Sequence, residues 1–436
     1  MTEYLRVYED VFNELGALAV VDVHTHLQWA RDRRADLADV LLYHFFWHEL
    51  RACGMPDLRG RGPRDRVRAA LPYLDRARNT GTYRALQVLL KDLFAMEEPF
   101  LCETNWEDIF ERFEAKHQDR DWRRHVLADR AGIKSSAIDH DQYRRWRRDG
   151  TDAPHGARAP VELFFPTLEQ SVFVSGTVRH IVEVLQRHCD VAVTDVATLE
   201  QAIQSFLSPK VLETIHAYLA WAPVSMRWEE VDRGRVDKIL RRALSGESLK
   251  QEDLNAVHVH CLRVLLDALR GRGIVLQLFL GSETSAAGRK PNIAAHSPDV
   301  LGSLMDLFLE HPDQRFELLI GTAAFSQQAN TLAKMLPNVG LSGIWWHSMY
   351  PSYIRRIIDE RLDCVPMWKV CGFFSDAYNV EWSYAKWQLV RRELASAFSD
   401  RIARGRMSRE DAREIARHWL WENPARVYGI DVRDAS

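Results

Sequence analysis

Apolar positions at Tyr4, Leu5, Val7, Tyr8, Val11, Phe12 and Leu15 recur at helical spacing and predict a leading amphipathic helix over residues 2–18. The pattern then changes. From Ala17 to Leu27 the chain reads Ala-Leu-Ala-Val-Val-Asp-Val-His-Thr-His-Leu, a short apolar run with three valines that turns polar toward its end. Such a run predicts a buried parallel strand whose C-terminal end carries the chemistry. From Asp36 to about Arg130 the periodicity is helical, dense in Arg, Asp and Glu and without strand-like runs, which predicts a helical insertion over residues 36–130. Alternation resumes after it. Strands are expected at Gly132–Ile138, Val161–Phe165, Ile274–Gly281, Phe316–Ile320, Val339–Trp345 and Trp368–Phe374, and helices at Val178–Arg187, Leu199–Phe206, Asp253–Arg270, Pro298–Glu310 and Ser326–Met335. Strands alternating with helices predict an α/β protein with a parallel sheet, doubly wound or closed. The stretch from Val380 to Asn423 reads as a helical tail that ends near Glu422-Asn423-Pro424.

The length of 436 residues does not by itself fix the domain count, because α/β barrels run past about 250 residues as one unit. No internal repeat, low-complexity tract or Gly/Ser linker interrupts the chain, so one barrel spanning 1–436, with insertions, is favoured over separate domains. Hydrophobic residues at 46% and charged residues at 27% exclude disordered, collagen-like and disulfide-scaffold classes. Lys and Arg number 58 against 61 Asp and Glu, a formal net charge of -3. That balance gives no reason to propose a nucleic-acid or anionic-membrane partner and points to a small-molecule substrate. No apolar run approaches the ~18 residues of a membrane helix. The N-terminus carries charge where a signal peptide needs its apolar region, so a cytoplasmic location is the expectation. The six cysteines are scattered without a C-x-x-C pair and read as reduced thiols. The aromatic-rich helical stretch offers a surface from which a homo-oligomer could be built.

Chemistry concentrates at a few positions. His24-Thr25-His26 closes the first predicted strand, and side chains two apart on a strand share a face, so both imidazoles can converge on one cation while Thr25 faces the other way. With 17 histidines in the chain, chance supplies about 0.7 such pairs, so the spacing alone is a weak signal. The competing account is two histidines satisfied by backbone groups at a strand end. A second pair, His258-Val-His260, falls in a predicted helix, where residues two apart do not share a face, and reads as structural. A catalytic metal requires a further ligand from another strand end. Asp376, after the strand-like run ending at Ser375, is the best late position, although an Asp there is more often a helix N-cap. Trp345 and Trp346 end another run, and one of two adjacent indoles can reach a site while the other packs. His44 and His48 are spaced to share a helix face, but their apolar neighbours favour packing. No Gly-rich phosphate cradle follows a strand and no G-x-S-x-G elbow is present.

These pieces, in this order, resemble the uronate isomerase family of the amidohydrolase superfamily. The resemblance rests on Val-Asp-Val-His24-Thr-His26-Leu, Leu-Leu-Tyr-His44-Phe, Gly343-Ile-Trp345-Trp346 and Phe374-Ser-Asp376-Ala, followed by Tyr384-Ala-Lys-Trp387, and it spans nearly the whole chain. It implies a (β/α)₈ TIM barrel with its site at the C-terminal ends of the strands. By resemblance, His24, His26 and Asp376 are the metal ligands, His44 is an active-site histidine, and Trp345 and Trp346 line the substrate pocket. The expected cofactor is a divalent metal, zinc first, with manganese, iron and cobalt open because ligand type alone does not fix selectivity. The family's arginine two residues after the metal-binding Asp is Tyr378 here. A second family arginine falls near Phe164-Phe165-Pro166, where none stands, and Phe45 follows His44 where the family often has Tyr. Losing guanidinium forks removes much of the grip on a carboxylate. The expected activity is therefore aldose–ketose isomerisation of a sugar acid or related sugar, with a shifted substrate. The rivals are a metal-dependent hydrolase working through an activated water, and a non-catalytic ligand-binding barrel.

Overall fold

The computed structural model describes residues 3–27, 35–140, 164–283, 293–344 and 350–430. Eight short strands form one sheet: β1 (Val20–Asp22), β2 (Ile133–Asp139), β3 (Phe164–Glu169), β4 (Ala217–Trp221), β5 (Val275–Leu280), β6 (Phe316–Ile320), β7 (Val339–Ser342) and β8 (Val370–Cys371). They stand side by side in chain order, and every pairing is parallel. Parallel neighbours need crossovers, and helices supply them. The sheet curls far enough for its two outer edges to exchange backbone hydrogen bonds just past the strands: Val23 N to Phe373 O (3.4 Å), Asp376 N to His24 O (2.9 Å) and His26 N to Ala377 O (2.9 Å). The expected barrel is thus seen as an eight-stranded, all-parallel curled sheet.

Alternation along the strands sorts the side chains into two cores. On β5, Val275 and Phe279 join Val21, Val23, Ala137, Phe165, Leu219, Leu319 and Phe374 on the concave side, while Leu276, Leu278 and Leu280 face the surrounding helices. This double burial explains why the strands read as unbroken apolar runs. The C-terminal helix Asn423–Tyr428 sends Tyr428 into the concave core. There its hydroxyl meets Gln277 Nε2 at 2.7 Å and Ser342 Oγ at 3.1 Å, and His216 Nδ1, just ahead of β4, lies 2.6 Å from its carbonyl.

Between β1 and β2 the described residues are helical, with Leu37–Leu41, His44–Ala52, Pro63–Arg76, Gly81–Phe94 and Trp106–Gln118 as the main pieces. These are fastened to the long helix Val380–Ala403 that follows β8. Glu381 on that helix is fully buried, accepts from Trp122 Nε1 at 2.7 Å and pairs with His117 Nε2 at 2.8 Å. Trp382 Nε1 donates to Val40 O, and the Tyr384 hydroxyl donates to Asp92.

Several expectations require correction. Ala217–Trp221 forms β4, where no strand was expected. The strand placed at Val161–Phe165 runs from Phe164 to Glu169, with Pro166 inside it: the pairing with β2 places Pro166 opposite Ile138, and the Pro166 carbonyl still accepts from His216 N. The part of that expected strand before Phe164 and the end of the one at Val339–Trp345 lie outside the described residues. The helical tail is three pieces rather than one: Val380–Ala403 ends before Gly405 at φ +65°, Ser408 caps Arg409–Arg417, and the last helix runs on to Tyr428. All six cysteines are free. No helix among the described residues is long and apolar enough to cross a membrane.

Candidate metal centre

The strand β1 ends at Asp22, and the next four residues run on in extended backbone along the end of β8. Thr25 Oγ1 donates to Ala137 O on the neighbouring β2, so Thr25 points away from the two histidines that flank it. His24 and His26 turn to one side, with ring centroids 4.8 Å apart and planes at 86°. From the opposite edge, Asp376 brings Oδ1 within 3.3 Å of His24 Nε2 and 3.0 Å of His26 Nε2. The Asp376 N-cap alternative is excluded by its neighbour: Asn379 Oδ1 accepts from Trp382 N and caps the helix.

Two nitrogen donors and one carboxylate oxygen lie within 4.8 Å of one another, buried or nearly so. The set fits a divalent metal that takes imidazole and carboxylate ligands and leaves positions open for substrate. Burial works to raise the Asp376 pKa, but the hydrogen bonds from His24 and His26 overcome it and hold the carboxyl well below its usual range. Burial works to lower the pKa of His26, but the charge of Glu169 and the bond to Asp376 carry it up to about 9. A metal ion would take over that role of attracting partner to the carboxylate.

Glu169, at the C-terminal end of β3, places Oε2 3.4 Å from His26 Nδ1. With Nε2 turned to the metal position, the charge of this carboxylate faces the Nδ1 side of the ring, the side from which outer partners orient imidazoles in metal sites. Sequence reading missed Glu169. Ending the strand at Phe165, before Pro166, hid the alternation Phe165, Thr167, Glu169, which puts the glutamate on the same concave face as Phe165.

Tyr378 stacks on His26 with centroids 4.8 Å apart at 18°, and the His44 ring lies 5.4 Å from Tyr378. His44 thus lies beside the candidate centre, whereas His48 is exposed. Burial pushes the His44 pKa down to about 4, so the ring is neutral near pH 7, and its Nδ1 has no hydrogen-bond partner among the described residues. Burial also raises the Tyr378 phenol. Phe165 packs in the concave core against Tyr428 and His216. Trp345 and Trp346 lie outside the described residues. His258 and His260 do not meet: His258 Nε2 lies 2.6 Å from Gly176 O and His260 Nε2 3.0 Å from Glu200, as expected of structural histidines.

Two backbone conformations stand out. Asp376 has φ +51° and His44 φ +27°, the left-handed region that side chains rarely adopt. Such strain costs about 1–3 kcal/mol per residue and persists where surrounding contacts impose it.

No family model matches the chain. It is nevertheless similar along nearly its whole length to curated uronate isomerases. The one from Thermotoga petrophila is 20% identical over 442 residues, covering 96% of each chain. The solved structure of uronate isomerase from Thermotoga maritima aligns with a TM-score of 0.81 at 17% identity, covering 97% of both chains. The glucuronate isomerase from Caulobacter crescentus gives a TM-score of 0.81 at 17% identity over 99% of this chain and 96% of that one. The structural likeness shows a shared fold.

Proposed function

We propose that the chain is a metal-dependent aldose–ketose isomerase on a single (β/α)₈ barrel, with residues 36–130 as a helical insertion. The observation that carries the reading is the convergence of His24 Nε2, His26 Nε2 and Asp376 Oδ1 from opposite edges of the curled sheet. Similarity to uronate isomerases over 96% of the chain supplies the reaction class.

His24, His26 and Asp376 would hold the metal, zinc in first place with manganese, iron or cobalt as the other divalent choices. When bound it would polarise the carbonyl and hydroxyl oxygens of a sugar at C1 and C2 and make the C2 proton more acidic. The chain supplies the proton carriers. Asp376 Oδ1 faces both imidazoles, which leaves Oδ2 to accept a proton from the substrate hydroxyl at C2. His44, neutral because burial depresses its pKa to about 4, can take the C2 proton and return it to C1. The C2 proton moves to C1 and the O2 proton to O1, so an enediol separates aldose from ketose and no oxidant is needed. The stacked Tyr378 and the Phe279 ring, 4.9 Å from His24, wall the site with aromatic surface.

The substrate differs from a uronate. Tyr378 stands where the resemblance to the family places an arginine, Phe165 is buried in the concave core against Tyr428 and His216, and Glu169 adds a carboxylate beside His26. A substrate carboxylate would meet no guanidinium fork at Tyr378 and a like charge at Glu169. The preferred substrate is accordingly an uncharged aldose or a sugar lacking the terminal acid. The test is product analysis with metal-loaded protein on a panel of neutral aldoses, glucuronate and galacturonate. Ketose formation from at least one sugar supports the reading. Hydrolysis of esters, lactones or amides without any ketose would replace it with hydrolase chemistry, and absence of both reactions would favour the ligand-binding barrel.

A further inference from the structure

The long helix Val380–Ala403 carries a lysine that the reaction above does not use. Lys386 is fully buried, one turn beyond Trp382 and between Ala385 and Trp387, on a face where an apolar residue would be expected. Its ammonium donates to Tyr43 Oη at 2.7 Å, Ser375 O at 2.7 Å and Asp376 O at 3.2 Å. Tyr43 donates in turn to Asp376 O at 2.7 Å, and its ring stacks on Trp382 at 4.5 Å. Around the same peptide, Asp22 Oδ1 accepts from Ser375 N at 2.7 Å and His24 O accepts from Asp376 N at 2.9 Å.

The backbone of Ser375 and Asp376 is thereby gripped from β1, from the turn before His44 and from the helix after β8. That grip coincides with the left-handed φ of +51° at Asp376, a conformation that relaxes unless contacts impose it. Burying an ammonium is costly, and a buried ionic network is often no more stable than apolar side chains of similar volume. Stability alone therefore gives no reason for a lysine at this position. Aiming one carboxylate at two imidazoles does.

We propose that Lys386 and Tyr43 form a clasp that holds Asp376 in its left-handed conformation and so aims its carboxylate at the metal position. Both are positioning residues acting through the Asp376 main chain. The proposal rests on the metal-site reading above, but its readout is metal affinity, which does not depend on which reaction the protein performs.

The experiment titrates metal-free full-length protein with Zn²⁺ by competition against a chelator, at a temperature where circular dichroism shows each variant fully folded. Lys386→Met is expected to weaken Zn²⁺ binding on the order of 10- to 100-fold, the effect typical of losing a group that orients a metal ligand. Tyr43→Phe, which removes one hydroxyl and keeps the ring on Trp382, is expected to weaken it about tenfold and serves if Lys386→Met does not fold. A folded Lys386→Met variant, or a folded Tyr43→Phe variant, with wild-type affinity overturns the clasp. If the wild type itself binds no Zn²⁺, manganese, iron or cobalt, the metal-site reading fails first, and the two failures are told apart by that control.

Discussion

Glu169 shows how much a single side chain adds to three metal ligands. Its carboxylate holds the Nδ1 side of His26, leaving Nε2 for the metal, and replacing it by an amide of the same shape weakens the acceptor without emptying the site. Glu169→Gln is expected to lower metal affinity roughly tenfold, read by metal titration of the folded variant. Tyr378, stacked on His26, bears on substrate choice instead. Tyr378→Arg restores a fork for carboxylates and is expected to raise affinity for glucuronate about tenfold or more, read as a fall in KM or in an inhibition constant. No change would place that position outside the pocket. The His24–His26 pair was legible in the sequence because two histidines end an apolar strand, whereas Asp376 joined them only through the family resemblance. Glu169 was not, because Pro166 has no amide hydrogen to donate and suggested a strand end where the chain continues for three residues.

At the scale of elements, the helix Val380–Ala403 joins the stretch between β1 and β2 to the end of β8. Glu381 anchors it, and burial, which would raise the carboxyl, is outweighed by His117 and Trp122, which lower it. Glu381→Ala strands both partners, and breaking a buried pair in this way is expected to cost about 3 kcal/mol in denaturant unfolding while metal stoichiometry stays the same. A loss under about 1 kcal/mol would show that the anchor is dispensable. Long periodic helices and unbroken valine-rich strands were legible from pattern alone. Ala217–Trp221 was not: Ala-Tyr-Leu-Ala-Trp contains no β-branched residue, and its length does not separate a strand from a helix segment. The break in the C-terminal helical tail rests on Gly405 and the Ser408 cap, signals of one residue each inside a long helical periodicity.

For the whole molecule, chain length alone left one barrel and several domains equally open. Chain-ordered parallel strands explain how residues 24 and 376 become neighbours: the sheet curls until the segments just past its first and last strands exchange hydrogen bonds, and the candidate metal-binding residues sit across that seam. Tyr428 packs into the concave core, and the candidate site residues gather past the C-terminal strand ends, as expected for this architecture. In the proposed reaction a metal held across the seam drives aldose–ketose conversion. The most direct test follows ketose formation from the best aldose of the panel as protein is stripped with a chelator and then reloaded with Zn²⁺ or Mn²⁺. The account predicts that ketose formation is lost on stripping and returns on reloading in the wild type, and that it does not return in His26→Ala. Ketose formation that persists in the stripped protein, or that returns equally in His26→Ala, would contradict it.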